Sequence, residues 1–256
     1  MSAVAALAER LGKGTPLVSA WCGMPHAPIA GLLAREAFDA VALDMQHGTI
    51  ELADAVAAIP LVAAAGKPTI VRVPVGAFAT ASRLLDAGAA GIIAPMINSA
   101  ADARALVAHT KFPPVGERSW GPVGAMALTG LDADRYFPRA NALHVVLAMV
   151  ETRAALDAID DILAVEGLDG IFIGPADLSI ALANGAGVDP GADAVLAALD
   201  HALARARAAG KLVGVYAHAP DRAKLFRDRG FDLVATLSDS GFLRAGAQAL
   251  LAALKA

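Results

Sequence analysis

A single cysteine, Cys22, stands among the 256 residues. Neither an intramolecular disulfide nor a multi-cysteine metal site can be built from it, and such usage suits a reducing cytoplasm. Charge is also scarce, at 18% of residues against 57% hydrophobic, which excludes the composition of a disordered chain. No stretch of about 18 apolar residues runs free of a charge, Gly or Pro, and much of the hydropathy is alanine's, so no membrane span is expected. The basic start and long apolar middle of a secretory signal are missing too: Glu9, Arg10 and Lys13 surround a short Ala/Leu stretch, and a cytoplasmic location is expected. The 21 basic and 25 acidic residues, net −4, are spread along the chain. Without a basic stripe to neutralise phosphate backbones, nucleic acid is not expected as a partner.

What the chain does have is rhythm. Short β-branched runs alternate with Ala/Leu-rich amphipathic stretches, the pattern of repeated βα units around a parallel sheet. Eight strands are predicted: Leu17 to Cys22, Ala40 to Met45, Thr69 to Val73, Gly91 to Pro95, His144 to Glu151, Gly170 to Gly174, Leu212 to Ala217 and Leu233 to Leu237. Gly66, Gly88, Gly167, Gly210 and Gly230 sit where a left-handed residue ends a helix before the next strand. Two places break the pattern. Residues 111–141 carry Pro113, Pro114, Gly116, Gly121, Pro122, Gly124 and Pro138, and read as a functional or mobile loop. Asn184 to Asp193 is a second, Gly-rich excursion. Eight units in about 250 residues favour an α/β fold closed as a (β/α)8 TIM barrel, one domain over residues 1–256, although strand counting leaves closure open.

A barrel places its chemistry at the carboxyl ends of the strands and in the loops that follow. Strand two ends in Asp44 with Gln46 and His47 just beyond, strand three in Arg72, strand five in Glu151, and strand six runs into Asp177 after Pro175. Strands seven and eight end near His218 and Asp239, while Lys67 and Lys211 precede strands three and seven, at the opposite face. Glu151 follows HVVLAMV and Asp177 follows GIFIGPA, so both carboxylates emerge from adjacent strands at one rim. Two like charges there need a cation. A hard divalent ion such as Mg2+ or Mn2+, with Co2+ or Zn2+ as alternatives, takes one or two carboxylates and keeps other positions for water or substrate oxygens. The competing reading is that each acid caps the helix that follows it, at Thr152 and at Leu178 to Ala183. Arg72 has a plain alternative as well, a rim salt bridge with Asp44. Trp21 has core packing, and Cys22 reads as an inert buried thiol.

Six segments resemble the HpcH/HpaI family of metal-dependent pyruvate aldolases: LDMQHG (43–48), VRVP (71–74), LLDAGAAGIIAPM (84–96), PPVGERSWG (113–121), MVETRAALD (149–157) and VEGLDGIFIGPADLS (165–179). They run in order over nearly the whole chain, and the last is the most specific. The resemblance implies a (β/α)8 barrel whose last helix is exchanged between subunits of a homo-oligomer, a hexamer built as a trimer of dimers. It implies Glu151 and Asp177 as the metal ligands, His47 as general base with Asp86 as its acidic partner, and Arg72 beside the keto oxygen. The backbone of Gly174, Pro175 and Ala176 would line the pyruvate carboxylate pocket. Trp21, Tyr216 and His218 would shape the pocket toward the aldehyde, and Asp44, Gln46 and Met149 would stand behind the ligands. Met149 and Gln46 occupy places where many members carry glutamine and glutamate. Trp120 replaces a small residue after Arg118, where it would fill part of the acceptor site.

The implied activity is that of a class II aldolase, making or cleaving the C3–C4 bond of 4-hydroxy-2-oxo acids from a pyruvate or hydroxypyruvate nucleophile and an aldehyde. A metal and a guanidinium hold the charge that builds on the keto oxygen, and an imidazole suits the proton transfer. The lysine-dependent alternative needs a lysine at a strand's carboxyl end, and none of Lys13, Lys67, Lys111, Lys211, Lys224 or Lys255 stands there. Two further readings share the fold. One is a 2-oxo-acid decarboxylase or CoA-thioester lyase, although no basic cluster awaits the CoA phosphates. The other is a 2-oxo-acid binding protein without turnover.

Overall fold

The computed structural model describes residues 2–255. In chain order the elements are α1 (Ala3–Leu11), β1 (Leu17–Cys22), α2 (Ala27–Leu33), β2 (Ala40–Asp44), α3 (Leu52–Ala64), β3 (Thr69–Arg72) and α4 (Phe78–Ala87). There follow β4 (Gly91–Ala94), α5 (Ala100–Thr110), α6 (Val123–Thr129), α7 (Ala133–Leu143), β5 (Val145–Val150), α8 (Arg153–Asp157) and α9 (Ile159–Leu163). The last are β6 (Gly170–Ile173), α10 (Pro175–Leu182), α11 (Asp193–Ala208), β7 (Leu212–Ala217), α12 (Pro220–Asp228), β8 (Leu233–Thr236) and α13 (Asp239–Ala253).

Among the described residues the eight strands pair in parallel and in sequence order, and β8 returns to β1 to close the barrel. The period-2 alternation of the strands gives it two cores. Trp21, Ala42, Ile70, Ile93, Met149, Phe172 and Leu233 fill the inside. Val41, Leu43, Val71 and Ile92 point outward and meet Ala55, Ile59 and Val62 of α3. The bottom is plugged by α1, which buries Val4, Leu7 and Leu11 on one stripe. Leu7 inserts where Gly91 leaves room, because a Cβ there would lie 2.9 Å from its Cδ2. All five helix-ending glycines take positive φ, Gly88 most strongly at 105°, a conformation that costs glycine no Cβ clash.

Two expectations are corrected. Residues 111–141 are not one long loop: they hold α6 and most of α7. Pro122 is the N-cap residue of α6, where its missing N–H costs little, and Pro138 is accommodated inside α7. The segment is pinned by buried Lys111, whose Nζ donates to the Asn141 and His144 carbonyls and to Asp169 at 2.7–2.8 Å. Most strands also end sooner than predicted; β2 stops at Asp44 and β5 at Val150, so Glu151 belongs to the rim rather than to the ladder.

At the other end of the chain, α13 buries only Asp239 and leaves Leu243, Leu250 and Leu251 exposed. No helix among the described residues is long and apolar enough to cross a membrane.

Candidate active site

A cavity of about 470 Å³ opens at the carboxyl ends of the strands, lined by Trp21, Asp44, His47, Arg72, Met149, Gly174, Pro175, Ala176, Asp177 and Tyr216 among others. Each of these stands at a strand's carboxyl end or in one of the six motif segments.

On one side, strand register sets Asp44 of β2 opposite Arg72 of β3. Arg72 Nε donates to Asp44 Oδ1 at 2.9 Å and Nη2 to Oδ2 at 2.7 Å. The salt bridge held as the plain alternative for Arg72 is therefore present, and the guanidinium still faces the cavity, 4.9 Å from the Trp21 ring centre. Asp44 does more than pair. Its Oδ1 accepts the backbone N–H groups of Gln46 (3.0 Å) and His47 (3.3 Å), and its Oδ2 accepts Trp21 Nε1–H (3.2 Å). Burial alone would push this carboxyl up, but the Arg72 guanidinium and the two N–H groups outweigh it and hold Asp44 below the usual carboxylate range. The His47 side chain stands exposed at the mouth. Trp21 serves both readings given to it, stacking on Phe172 at 6.1 Å and meeting Tyr216 edge-on at 5.3 Å.

On the other side, Glu151 is buried beneath the cavity floor, 2% exposed. Its Oε1 accepts the Met96 N–H at 2.8 Å, an N–H aimed by a non-glycine residue in the left-handed region, φ 56°. Its Oε2 is buried and has no hydrogen-bond partner among the described residues. Gly174 makes room beside it: a Cβ there would lie 2.8 Å from Oε2 and 3.0 Å from Met149 Cε. Burial, with the nearby Asp177 charge, pushes the Glu151 carboxyl up, against the Met96 N–H and Arg72. Asp177 is exposed in the first turn of α10 and lines the cavity.

The capping alternative does not describe these acids. Thr152 caps α8 through its own hydroxyl, and α10 is preceded by Gly174 as its N-cap, with no side-chain cap bond. A buried carboxylate oxygen left without a partner, next to a second acid and a small residue, fits a hard cation. Among the described residues no group of three or more His, Cys, Asp or Glu could hold a metal. The pair would leave most of the coordination sphere to water and substrate.

Three expectations are corrected. Asp86 does not meet His47 within the chain. It lies on α4, outside the sheet, and accepts Arg118 Nη2–H at 2.6 Å, that buried guanidinium standing 4.5 Å over the Phe112 ring. Trp120 does not enter the mouth; it joins an outer cluster with Phe112 (5.6 Å), Phe137 (5.6 Å) and Tyr136 (6.2 Å). His218 is exposed and lies outside the cavity lining. Gln46 is half-buried beside His47, its Oε1 without a partner among the described residues. Cys22 is no nucleophile, since burial, reinforced by Asp239, pushes its thiol up to about 12. Sequence reasoning missed Ser238 and Ser240 on the cavity wall, and found Asp239 only as a polar strand end, without its role in the wall.

The family model of the HpcH/HpaI aldolase/citrate lyase group matches residues 19–245. A hydroxypyruvate/pyruvate aldolase of Rhizorhabdus wittichii is 38% identical over 244 residues, covering 95% of this chain and 96% of that one. A 2-keto-3-deoxy-L-rhamnonate aldolase of Escherichia coli K12 is 34% identical over 232 residues, 91% of this chain and 86% of that one. The crystal structure of an HpcH/HpaI aldolase/citrate lyase family protein from Burkholderia cenocepacia superimposes with a TM-score of 0.89 at 31% identity, covering 98% of this chain and 100% of its own.

Proposed function

The chain belongs to the HpcH/HpaI aldolase/citrate lyase family, and from that premise we propose that its mouth cavity makes or cleaves the C3–C4 bond of 4-hydroxy-2-oxo acids, with pyruvate or hydroxypyruvate as nucleophile and an aldehyde as acceptor. The observation that carries this reading is the unpartnered Glu151 Oε2 beside Gly174, with Asp177 near enough for its charge to act on Glu151. A divalent ion held by these carboxylates, Mg2+ or Mn2+ by the hardness of the oxygen donors, supplies Lewis acidity toward the substrate's keto oxygen.

The chain's own residues do the rest. Arg72, held by the Asp44 fork, presents a fixed guanidinium to the charge that develops on that oxygen. At the start of α10 the Gly174 and Ala176 N–H groups are free for the substrate carboxylate, while Pro175, which has no N–H, fixes the turn between them. His47 accepts a C3 proton from the 2-oxo acid, C3 bonds to the aldehyde carbon, and the new 4-alkoxide takes a proton; cleavage runs the same steps backward. Trp21 and Tyr216 pack against the acceptor. Among the described residues no lysine lines the cavity, which speaks against a Schiff base, and Arg72 is its only Arg or Lys, which disfavours CoA phosphates. The exposed leucines of α13 support a homo-oligomer, a hexamer by resemblance, in which this helix is exchanged onto a second copy. The lone cysteine supports a cytoplasmic setting.

Proton NMR of pyruvate in D2O tests the reading. Wild type with Mg2+ is expected to erase the methyl signal by exchange, while EDTA-treated protein and His47→Ala leave it intact. A methyl signal that persists with wild type and metal, while pyruvate still binds, would make this a binding protein and overturn the aldolase reading.

A further inference from the structure

Asp239 opens α13 immediately beyond β8 and is 7% exposed. Its Oδ2 accepts the N–H groups of Gly23 (2.8 Å) and Met24 (2.7 Å) in the loop after β1, more than 200 residues away in sequence, and its Oδ1 accepts the Ser240 N–H at 2.8 Å. Among the described residues no cation pairs with it. Capping of α13 does not need this carboxylate, because the Ser238 hydroxyl already accepts the Gly241 N–H at 3.3 Å. A buried charge spent on two backbone N–H groups of a distant loop fixes that loop strongly, since charge-assisted hydrogen bonds are the strong ones.

The loop it fixes is the seat of another. The Gly23 carbonyl accepts the Thr49 N–H at 2.9 Å and the Thr49 hydroxyl at 3.4 Å. Gly48 is wedged against the same residue: a Cβ on Gly48 would lie 2.7 Å from the Gly23 oxygen and 2.8 Å from its Cα, and would collide with the Asp44 carbonyl. The segment that carries His47 is thus gripped on one side by Asp44, through the Gln46 and His47 N–H groups, and on the other by Gly23. Among the described residues the exposed His47 imidazole makes no hydrogen bond of its own. Its placement over the cavity depends on this backbone grip.

We propose that Asp239 is a positioning residue for His47, acting through Gly23 and Gly48 by locking the first βα loop against the second. Its consequence for catalysis rests on the proposed role of His47 as the proton acceptor. The geometric claim does not.

The test compares wild type with Asp239→Asn, which retains size but has one acceptor oxygen for three N–H donors. In metal-free protein the His47 imidazole cross-peak, assigned by its absence in His47→Ala, is expected to shift or broaden. With Mg2+, methyl-proton exchange of pyruvate is expected to fall at least about tenfold relative to decarboxylation of oxaloacetate. In that reaction the C3–C4 bond breaks, CO2 leaves and its electron pair remains on the 2-oxo fragment, so no base need remove a proton. An unshifted cross-peak, or exchange and decarboxylation falling in parallel, overturns the proposal. If wild type neither exchanges nor decarboxylates, the aldolase reading fails while the cross-peak still decides the positioning role. Asp239→Glu, which keeps the charge but displaces it, is expected to give the same selective loss. Failure of both variants to fold would make Asp239 a stabilising residue only, and would likewise overturn it.

Discussion

Asp44 and Arg72 face each other across β2 and β3, and their side chains close a two-point fork at 2.9 and 2.7 Å with both residues buried. The fork makes Arg72 rigid at the cost of tying activity to Asp44. Arg72→Ala is expected to lower aldol turnover about 100-fold and to destabilise the fold by about 3 kcal/mol, because it strands a buried carboxylate. Arg72→Lys restores the charge without the fork, and recovers stability better than rate. The pH dependence follows from the lowered Asp44 carboxyl. Its stabilising share is present above the unfolded value of about 3.9 and is lost as pH falls through the lower folded value. Urea melts should show the deficit of Arg72→Ala shrinking below pH about 4; a deficit constant with pH would contradict the assignment.

Removing the charge of Glu151 should separate folding from metal binding. The unpartnered Oε2 burdens the metal-free protein, so Glu151→Gln in EDTA is expected to melt at or above the wild-type temperature. Wild type should gain stability on adding Mg2+, as any ligand of the native state confers, and the variant should not. Equal gains in both proteins would remove Glu151 from the metal site. Thermal melts with and without metal make the comparison.

Gly174 offers a steric version of the same experiment. A methyl group there would stand 2.8 Å from Glu151 Oε2 and 3.0 Å from Met149 Cε. The methionine end can yield; the carboxylate, pinned through Oε1 by the Met96 N–H, has less room. Gly174→Ala is expected to stay folded, to lose the Mg2+-dependent rise in melting temperature, and to lose methyl exchange. Gly174→Ala combined with Met149→Ala should recover part of both. Unchanged metal stabilisation in the single variant would show that Oε2 does not face the ion.

Features fixed by neighbours in sequence are legible from the sequence; those fixed by residues far away along the chain are not. A strand's carboxyl end fixes where its last residue points, so Asp44, Arg72 and Asp177, with His47 just past β2, converge on one cavity as rim position alone predicts. The helix-ending glycines are equally local. Asp86 and Trp120 were harder because a family motif says which residues recur but not which layer they face. Both lie outside the sheet, around Arg118 and Phe112. The prolines of 111–141 read as a break because Pro122 at a helix N-cap and Pro138 inside a helix are tolerated only in context. Asp239 was visible as a polar strand end, but its donors, Gly23 and Met24, lie at the opposite end of the sequence.

A fully buried titratable pair, His144 and Tyr136, lies at the start of β5, at the opposite end of that strand from Glu151. His144 is 1% exposed; its Nδ1–H donates to the Ala89 carbonyl at 2.9 Å, which leaves Nε2 to accept the Tyr136 hydroxyl at 2.6 Å. The neutral ring satisfies both bonds with the Tyr136 hydroxyl as donor. Burial, with the Arg118 and Lys111 charges, pushes the imidazole down to about 3. The unfolded chain binds a proton near pH about 6.5, the folded one near 3, so the unfolded state holds the extra proton in between. Stability contributed by neutral His144 is therefore complete above the unfolded value and falls as pH drops toward the folded one, by up to about 1.4 kcal/mol per pH unit. His144→Gln should be less stable than wild type at pH 7, because the Tyr136 hydroxyl and Ala89 carbonyl lose well-placed partners, yet its stability should fall less steeply between pH 6 and 4, by one proton. Parallel slopes for the two proteins would mean that His144 is not held neutral by the fold.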